Sequence, residues 1–389
     1  MPFYKPLKNL SQIDRNRTII NIERLRNQFN IEKIPNKKAS ETLILGTWNI
    51  RNFDDNRFNY GPRLEESYYY IAEIISRFDI IAVQEICDDV WPLKKLMRVI
   101  GGNYDYILTD TTHSSLGGNQ ERLGFIYDKD KVKFSGIAGE IVLPDKFLIS
   151  EVTNKKRQFS RTPFAVEFQS GWFKFVFSTV HIYFGSNGVK TPEYKRRVQE
   201  IEAISKYLSR EAKKSDKNHI LVGDFNIKFP RSEGYNSLEK NGFNIVKNLK
   251  GSNRDRTKYY DQISFQSRKD ELEFVDPNRD DRTIQFFNSV FREEDFDTYK
   301  PIILKHIDEK ILKAEKDLDE ASSQRKKKKA ERQIKSLNTA KENDDSLKKY
   351  YYEWKSFQMS DHLPLWVEIK VDFSDSYLNY LKTYENRND

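Results

Sequence analysis

Short apolar runs bordered by polar residues recur along the chain. In four of six such segments the polar groups follow the apolar run, and in the other two they precede it. A sheet in which some neighbouring strands are antiparallel would bring all six polar ends to one edge. The segments are residues 43–49, 80–85, 121–127, 175–181, 220–226 and 360–367. The polar residues that would gather there are Asn49, Glu85, Glu121, His181, Asp224, Asn226, Asp361 and His362.

Helical patterns separate these strands. Apolar residues at helical spacing predict helices over residues 64–78, 90–100 and 192–208, the last with Pro192 in its first turn. Strands with two-residue alternation, such as residues 173–177, lie between the helices. Interspersed helices and paired strands predict an α/β fold with a two-sheet core and helices on both outer faces.

The first 40 residues differ from the rest of the chain. Residues 1–40 are polar and contain one amphipathic pattern over residues 19–29, which predicts an N-terminal helical extension that packs on the remainder. Residues 41–389 are predicted to form one domain.

A second region interrupts the alternation of strands and helices at about residues 300–350. No Gly or Pro follows Pro301 as far as Lys349, and Lys and Glu are abundant. The pattern predicts a helical insertion, either one long helix or a helical hairpin that turns near Ser322 and Ser323. The basic run at residues 325–329 is interpreted either as a solvated helix face or as an arm that contacts DNA.

Composition and charge narrow the classes of partner. The chain has 67 Lys and Arg against 59 Asp and Glu, a net charge of +8 and a pI near 9.1, which favours a polyanionic partner. The single cysteine, Cys87, excludes an internal disulfide and a zinc site built from cysteines. No signal-peptide pattern and no membrane-span pattern is apparent. We therefore expect a soluble cytoplasmic monomer that acts on nucleic acid and not on membranes.

The polar residues at the predicted sheet edge suit one kind of chemistry. Asp224 and Asn226 are two residues apart and so lie on one side of a strand end, where both can face a metal or a water molecule. Glu85, at the end of another predicted strand, is predicted to bind a metal. A structural salt bridge is the alternative. Oxygen ligands of this type suit Mg²⁺, or Mn²⁺ in its place.

Two histidines are candidates for proton transfer. His181 ends a buried strand, and Glu121 is the candidate acid that orients it. Asp361 and His362 are adjacent and could supply one ligand and one catalyst, with Asp261 as the acid that fixes the tautomer of the imidazole. The remaining histidines are interpreted as structural or surface residues; they are His113, His219 and His306.

The order of these motifs resembles that of the endonuclease/exonuclease/phosphatase superfamily, and it is most similar to the deoxyribonuclease I branch. The resemblance covers roughly residues 43–370 apart from the helical insertion. The motifs are Trp48-Asn-Ile-Arg-Asn-Phe53, Phe78-Asp-Ile-Ile-Ala-Val-Gln-Glu85, Gln120-Glu-Arg122, Val180-His181, Gly223-Asp-Phe-Asn226, Tyr260-Asp-Gln-Ile263 and Ser360-Asp-His362.

The resemblance implies a four-layer α/β-sandwich whose active site lies at one end, with residues 41–389 as the catalytic domain. It implies metal ligation by Asn49, Glu85 and Asp361, and positioning of phosphate and water by Asp224 and Asn226. It also implies catalysis by His181 and His362, each held by an acid, Glu121 and Asp261. Arg51 and Arg161 fall where the deoxyribonuclease branch contacts phosphates.

The chain departs from that branch in its groove-binding residues. Asn119 stands where deoxyribonuclease I has a tyrosine that packs in the minor groove, and Cys87 stands where that branch has an arginine. The long insertion before Ser360 has no counterpart there. The branch's two contacts in the minor groove are therefore not carried over to this chain, and the insertion could cover, widen or redirect the nucleic-acid groove.

Three functions follow as hypotheses. The first is a Mg²⁺-dependent DNA endonuclease that works by in-line attack of water, with His362 and Asp261 as the activating pair and His181 on the leaving group; the two histidine roles could be exchanged. The second is a phosphoesterase of the same fold that acts on phospholipid or inositol phosphate. The third is a non-catalytic nucleic-acid-binding protein.

Overall fold

Strands and helices alternate through the computed structural model, which describes residues 2–53, 56–111, 119–150, 156–186, 188–268 and 271–384. His113 lies outside these ranges. The strands are β1 Thr42–Phe53, β2 Ile80–Ile86, β3 Tyr104–Leu108, β4 Arg122–Asp128, β5 Lys133–Glu140, β6 Ile149–Ser150, β7 Lys156–Arg157, β8 Phe164–Ser170, β9 Phe173–His181, β10 Asn218–Asp224, β11 Asn244–Ile245, β12 Asp261–Gln266 and β13 Leu365–Lys370. The helices are α1 Gln12–Ile31, α2 Glu65–Ile75, α3 Trp91–Ile100, α4 Pro192–Ala212, α5 Glu233–Lys240, α6 Phe296–Asp319, α7 Gln324–Lys341, α8 Asp344–Gln358 and α9 Ser374–Tyr384.

The first sheet has the strand order β13-β1-β2-β4-β3. Strand β1 is parallel to β2 and antiparallel to β13, so the first long strand of the chain pairs with the last one. In this register Asn49 lies opposite Gln84, and Glu85 follows directly. The polar ends of β1 and β2 therefore meet at one edge of the sheet.

The second sheet has the order β11-β12-β10-β9-β8-β5. Strand β10 is parallel to β9 and antiparallel to β12. Asp224 at the end of β10 lies beside His181 of β9 on one side and beside Asp261 of β12 on the other. The register alone therefore places these three residues in one row.

A core rich in aromatic rings joins the two sheets. Side chains alternate along β1, so that Leu43 and Leu45 face the second sheet while Ile44 faces the helices. From the first sheet, Phe125 stacks on Phe164 and Phe177 of the second, with ring centroids 5.6 and 5.0 Å apart. Large rings rather than aliphatic side chains thus dominate this interface.

Helices cover the outer face of each sheet. Helices α1, α2, α3, α6, α7 and α8 contribute buried side chains to the core on the first sheet, and α4 and α5 to the core on the second. The result is a four-layer α/β-sandwich, which confirms the predicted fold class. Among the described helices, none combines the length and the apolar character required to cross a bilayer.

The N-terminal helix is longer than its sequence pattern indicates. Helix α1 begins after Ser11, whose hydroxyl accepts a hydrogen bond from the backbone N–H of Asp14, and it buries Leu25 and Phe29 completely. Asn21 donates hydrogen bonds to the hydroxyls of Tyr70 and Tyr299. The first turns of α1 are largely exposed and so show no amphipathic pattern in the sequence. The later turns pack on the first helical layer.

The insertion contains a helical hairpin and a third helix. The chain turns between α6 and α7, and Ser323 caps α7 by accepting a hydrogen bond from the N–H of Lys326. Helix α8 begins after Asn343, which caps it in the same way, and it continues beyond the predicted end of the insertion. No Gly or Pro separates α7 from α8, so only this cap marks the boundary. Residues 325–329 are exposed in the first turns of α7.

Candidate active site

A local irregularity in the first sheet positions Glu85. The pairing of β1 with β2 shifts between Asn49 and Phe53, and Glu85 adopts a φ of +61°, a backbone conformation that costs free energy for a residue with a side chain. The side chain is fixed by two hydrogen bonds. Asn49 Nδ2 donates to its Oε1 at 2.9 Å, and the N–H of Asn52 donates to its Oε2 at 2.9 Å. The strained backbone thus turns this carboxylate toward Asn49.

Asp224 lies at the centre of the site and is 2% exposed. Its Oδ2 accepts a hydrogen bond from Asn49 Nδ2 at 3.1 Å, and its Oδ1 accepts one from the N–H of Asn226 at 2.8 Å. The Nε2 atoms of His181 and His362 lie 3.5 and 3.8 Å from the same Oδ2. One carboxylate therefore faces both histidines.

Gly223 allows β9 and β10 to approach closely at this point. Its φ is +132°, and a Cβ atom built there would lie 2.0 Å from the carbonyl oxygen of Val180. A side chain at position 223 is excluded both by the backbone conformation and by the space available. This glycine fixes the row that contains His181 and Asp224.

His181 is backed by a buried ion pair. Its Nδ1 lies 3.0 Å from Glu121 Oε2, and Arg161 donates from Nε to the same oxygen at 2.7 Å. Arg161 is 7% exposed. The structure thus brings Glu121 to His181 as expected from the sequence, and it places the guanidinium of Arg161 behind that acid. A phosphate contact by Arg161 stays a prediction.

His362 is held from two directions. Its Nδ1 lies 2.8 Å from Asp261 Oδ2, and its backbone N–H donates to Ser360 Oγ at 3.0 Å. The Ser360 hydroxyl in turn donates to the backbone oxygen of Asn49 at 2.6 Å. Ser360 therefore ties the segment before β13 to β1. Sequence reasoning assigned it no role, although its place in the Ser-Asp-His motif was the available signal.

The charges of the site reinforce one another. Burial opposes the positive charge of His362, but Asp261 and Asp224 outweigh it and raise the pKa of this imidazole well above its ordinary value. Burial also opposes the charge of Asp224, yet His362 and His181 lower its pKa. The pKa of Glu121 is likewise low, because His181 and Arg161 outweigh the effect of burial. Asp224 and Glu121 are thus kept ionised beside the imidazoles, whereas burial raises the pKa of Asp261 despite its contact with His362.

The residues present fit a divalent cation. Asn49 Oδ1 is buried and has no hydrogen-bond partner among the described residues, while Nδ2 of the same amide contacts Glu85. Glu85 and Asp361 add carboxylates that are only partly buried. Amide and carboxylate oxygens are the ligands that Mg²⁺ prefers.

A second group of metal-binding residue types lies next to these. Asp224, Asp261 and His362 can place one ligand atom each within 4.8 Å of one another. His362 Nδ1 already contacts Asp261, so this group is well explained as a histidine held between two acids. It differs from the set predicted from the sequence, which is Asn49, Glu85 and Asp361.

The six predicted catalytic residues and two of the three predicted metal ligands, Asn49 and Glu85, gather at one end of the two sheets. Distances join Asn49 to Glu85 and Asp224, Asp224 to both histidines, and each histidine to its acid. Asn226 donates from Nδ2 to the carbonyl of Ile182, the residue after His181, at 2.8 Å. The other described histidines, His219 and His306, have a pKa lowered mainly by burial, as expected for structural residues.

This four-layer sandwich is a phosphoesterase fold. Residues 46–284, more than half of the chain, match the Endonuclease/Exonuclease/phosphatase family. The chain belongs to that family. No curated protein matches it significantly by sequence.

Several solved structures are similar to this chain. A mannosyl-6-phosphatase of Bacteroides thetaiotaomicron is 22% identical, with a TM-score of 0.44 over 59% of this chain and 87% of the other. The catalytic domain of human nocturnin is 16% identical, with a TM-score of 0.40 over 60% and 85%. A humanized TDP2 of D. rerio is 14% identical, with a TM-score of 0.40 over 61% and 91%.

Proposed function

We propose that this protein is a Mg²⁺-dependent phosphodiesterase that hydrolyses nucleic acid, and specifically a DNA endonuclease. One observation carries the proposal: the Nε2 atoms of His181 and His362 face one buried carboxylate, Asp224, while the Nδ1 atom of each ring faces an acid of its own. Two imidazoles with fixed orientation on one anion suit a reaction in which one proton is taken and another is given.

Asn49, Glu85 and Asp361 would hold the metal ion. When bound, Mg²⁺, or Mn²⁺ in its place, would neutralise charge on the phosphate. Support for this assignment comes from the unpartnered buried oxygen of Asn49 and from the backbone strain at Glu85, because strain of this kind concentrates at functional sites.

The chain's own residues would move the protons. We assign His362, in its neutral form at a pH above its raised pKa, as the group that takes a proton from water, with Asp261 fixing its Nδ1–H and with Asp224 and Asn226 orienting the water. His181, held by Glu121, would donate to the leaving oxygen. Both carboxylate partners are buried, so each imidazole is presented through Nε2 only.

Nucleic acid is supported as the substrate by charge and by exposed aromatic rings. The net charge is +8, and Phe58, Phe184 and Phe229 are 50%, 43% and 50% exposed. Phe184 follows His181 by three residues in the chain, and Phe229 follows Asn226 by three. Exposed rings beside cationic groups can stack on bases. The single cysteine supports action in the reducing cytoplasm, and we propose that the protein acts there as a monomer.

The test is a metal-dependent cleavage assay. We expect the purified protein to nick plasmid DNA with Mg²⁺ or Mn²⁺, and we expect His181→Ala to lower the rate on the order of 10² to 10⁴. His306→Gln, outside the site, is the matched control and retains full activity. Single-stranded DNA, RNA, phosphoinositides and sphingomyelin complete the panel. Full activity in the His181→Ala protein, or turnover of lipids alone, contradicts the proposal.

A further inference from the structure

Two arginines at the border of the site face one carboxylate of the inserted helix α8. Arg51 Nη1 lies 3.5 Å from Glu353 Oε2, and Arg254 Nη2 lies 3.5 Å from Glu353 Oε1. Each oxygen of the carboxylate thus faces a different guanidinium. A planar anion held between two guanidinium groups occupies the position that a phosphate group would take.

The backbones of both arginines are fixed to the segment that precedes β13. The N–H of Arg51 donates to Ser360 Oγ at 3.3 Å, and the N–H of Arg254 donates to the carbonyl of Asp361 at 2.7 Å. Arg51 also follows Asn49 by two positions on β1. The backbones of both arginines therefore lie beside Ser360 and Asp361, the two residues that precede His362.

Helix α8 holds the guanidinium of Arg254 in place. The guanidinium lies 3.4 Å from the centre of the Tyr352 ring, and Nη1 donates to the carbonyl of Tyr352 at 3.0 Å and to Ser356 Oγ. The side chains of Arg254 and Arg51 are each 14% exposed. A cation that is ordered in advance loses little entropy when it binds an anion.

Glu353 is less constrained than the two arginines that it contacts, Arg51 and Arg254. Its side chain is 41% exposed, and both ion-pair distances exceed the 2.7–2.9 Å that is typical of charge-assisted hydrogen bonds. Ion pairs of this exposure contribute little free energy. An incoming anion can therefore displace the carboxylate at small cost.

We propose that Arg51 and Arg254 form a second phosphate subsite beside the reacting phosphate, and that Glu353 competes with the substrate for it. The ligand is a backbone phosphate next to the scissile one, so the inference rests on the proposed function. The insertion then favours substrates that carry several phosphates over substrates that carry one. A chain of phosphates displaces Glu353 and gains both arginines, whereas a substrate with one phosphate leaves the carboxylate in place.

Binding without turnover tests the subsite directly. The probe is a fluorescein-labelled 12-nucleotide single-stranded DNA, titrated by fluorescence anisotropy in EDTA against the full chain and its variants. We expect Arg254→Gln to weaken binding about tenfold and Glu353→Gln to tighten it about threefold or more. Glu331→Gln, an exposed acid on α7, makes the same change in charge within the insertion and is expected to alter binding less than about twofold.

A double variant and a small substrate complete the experiment. The gain from Glu353→Gln should shrink in the Arg254→Gln background, because the carboxylate acts through that guanidinium. Both variants should alter hydrolysis of bis(p-nitrophenyl) phosphate, which carries a single phosphodiester, by a smaller factor than they alter DNA binding. Equal effects of Glu353→Gln and Glu331→Gln overturn the subsite, and so does an absence of DNA binding by all variants. If binding changes as expected while no phosphodiester is cleaved, the subsite stands and the proposed function fails.

Discussion

His362 Nδ1 lies 2.8 Å from Asp261 Oδ2, and this contact joins the segment before β13 in the first sheet to β12 in the second. Asp261 is itself fixed, since its N–H donates to Ser252 Oγ at 2.9 Å. The orientation of the imidazole therefore depends on the packing of the two sheets.

Replacing Asp261 by Asn tests this contact through the pH dependence of the reaction. We expect activity to fall about 10- to 100-fold. Because the Asp261 charge raises the pKa of His362, its removal lowers that pKa, and the limb of the pH–rate profile that reports His362 moves to lower pH. A shift of the ascending limb assigns His362 as the base, and a shift of the descending limb assigns it as the acid. An unmoved profile contradicts the coupling.

Glu85→Gln tests metal binding without an activity assay. A ligand that binds only the folded protein raises the melting temperature, so MgCl₂ should stabilise the wild-type protein relative to EDTA. We expect this shift to be lost in Glu85→Gln and kept in Asp88→Asn, which alters an exposed acid three residues along the chain. The measurement is thermal unfolding at several Mg²⁺ concentrations. An equal shift in both variants argues against Glu85 as a ligand.

Gly223→Ala should destabilise the fold. The substitution adds a Cβ against the Val180 carbonyl at a φ of +132°, so either the row of His181 and Asp224 separates or the backbone changes conformation. We expect a loss of about 3 kcal/mol or more in the free energy of unfolding, measured in urea. Gly139→Ala is the control, because nothing lies within 4 Å of its added Cβ. Similar midpoints for both variants are incompatible with this account.

Glu32 links protonation to stability at the end of α1. Burial raises its pKa to about 7, although its carboxylate accepts hydrogen bonds from Gln28 and from the N–H of Gln285. The folded protein therefore binds more protons than the unfolded chain between about pH 4.5 and 7, and stability falls as the pH rises through this window.

The matched variants are Glu32→Gln, at the residue that follows α1, and Glu23→Gln, at an exposed position within α1. Glu32→Gln should gain stability relative to the wild-type protein at pH 7.5 and show little difference at pH 4.5. Glu23→Gln should follow the wild-type protein at both values. The readout is the urea midpoint, and a Glu32→Gln curve parallel to the wild type disproves the linkage.

The fold was predictable because the strands indicated by the apolar runs pair in the structure in a register that brings their polar ends together. Strand ends carrying Asn49, Glu85, His181 and Asp224 were recognisable from apolar runs, and the sheet register then places them in neighbouring rows. The acid partner of each histidine was also inferred, since a strand-end carboxylate that follows or precedes an apolar run reaches the same edge.

Other features depend on contacts that no local pattern encodes. The bulge that gives Glu85 its positive φ arises from pairing between strands, and the cluster of Arg51, Arg254 and Glu353 joins segments about 100 residues or more apart. The start of α8 was not predicted because no Gly or Pro separates α7 from α8 in the sequence. Asn343 is a typical N-cap residue, but apolar residues at helical spacing continue on both sides of it.

The pairing of β1 with β13 has a consequence for biosynthesis. During translation, β1 is made more than 300 residues before its antiparallel neighbour, so one of its edges stays open until residues 365–370 have left the ribosome. Likewise, Asn21 of helix α1 cannot form its hydrogen bond with Tyr299 until Tyr299 has been synthesised. Contacts this distant in sequence slow folding and leave an unpaired strand that can recruit another nascent copy. A chain that stops before residue 365 therefore leaves the first sheet unfinished at β1, and rapid production at high concentration favours its aggregation.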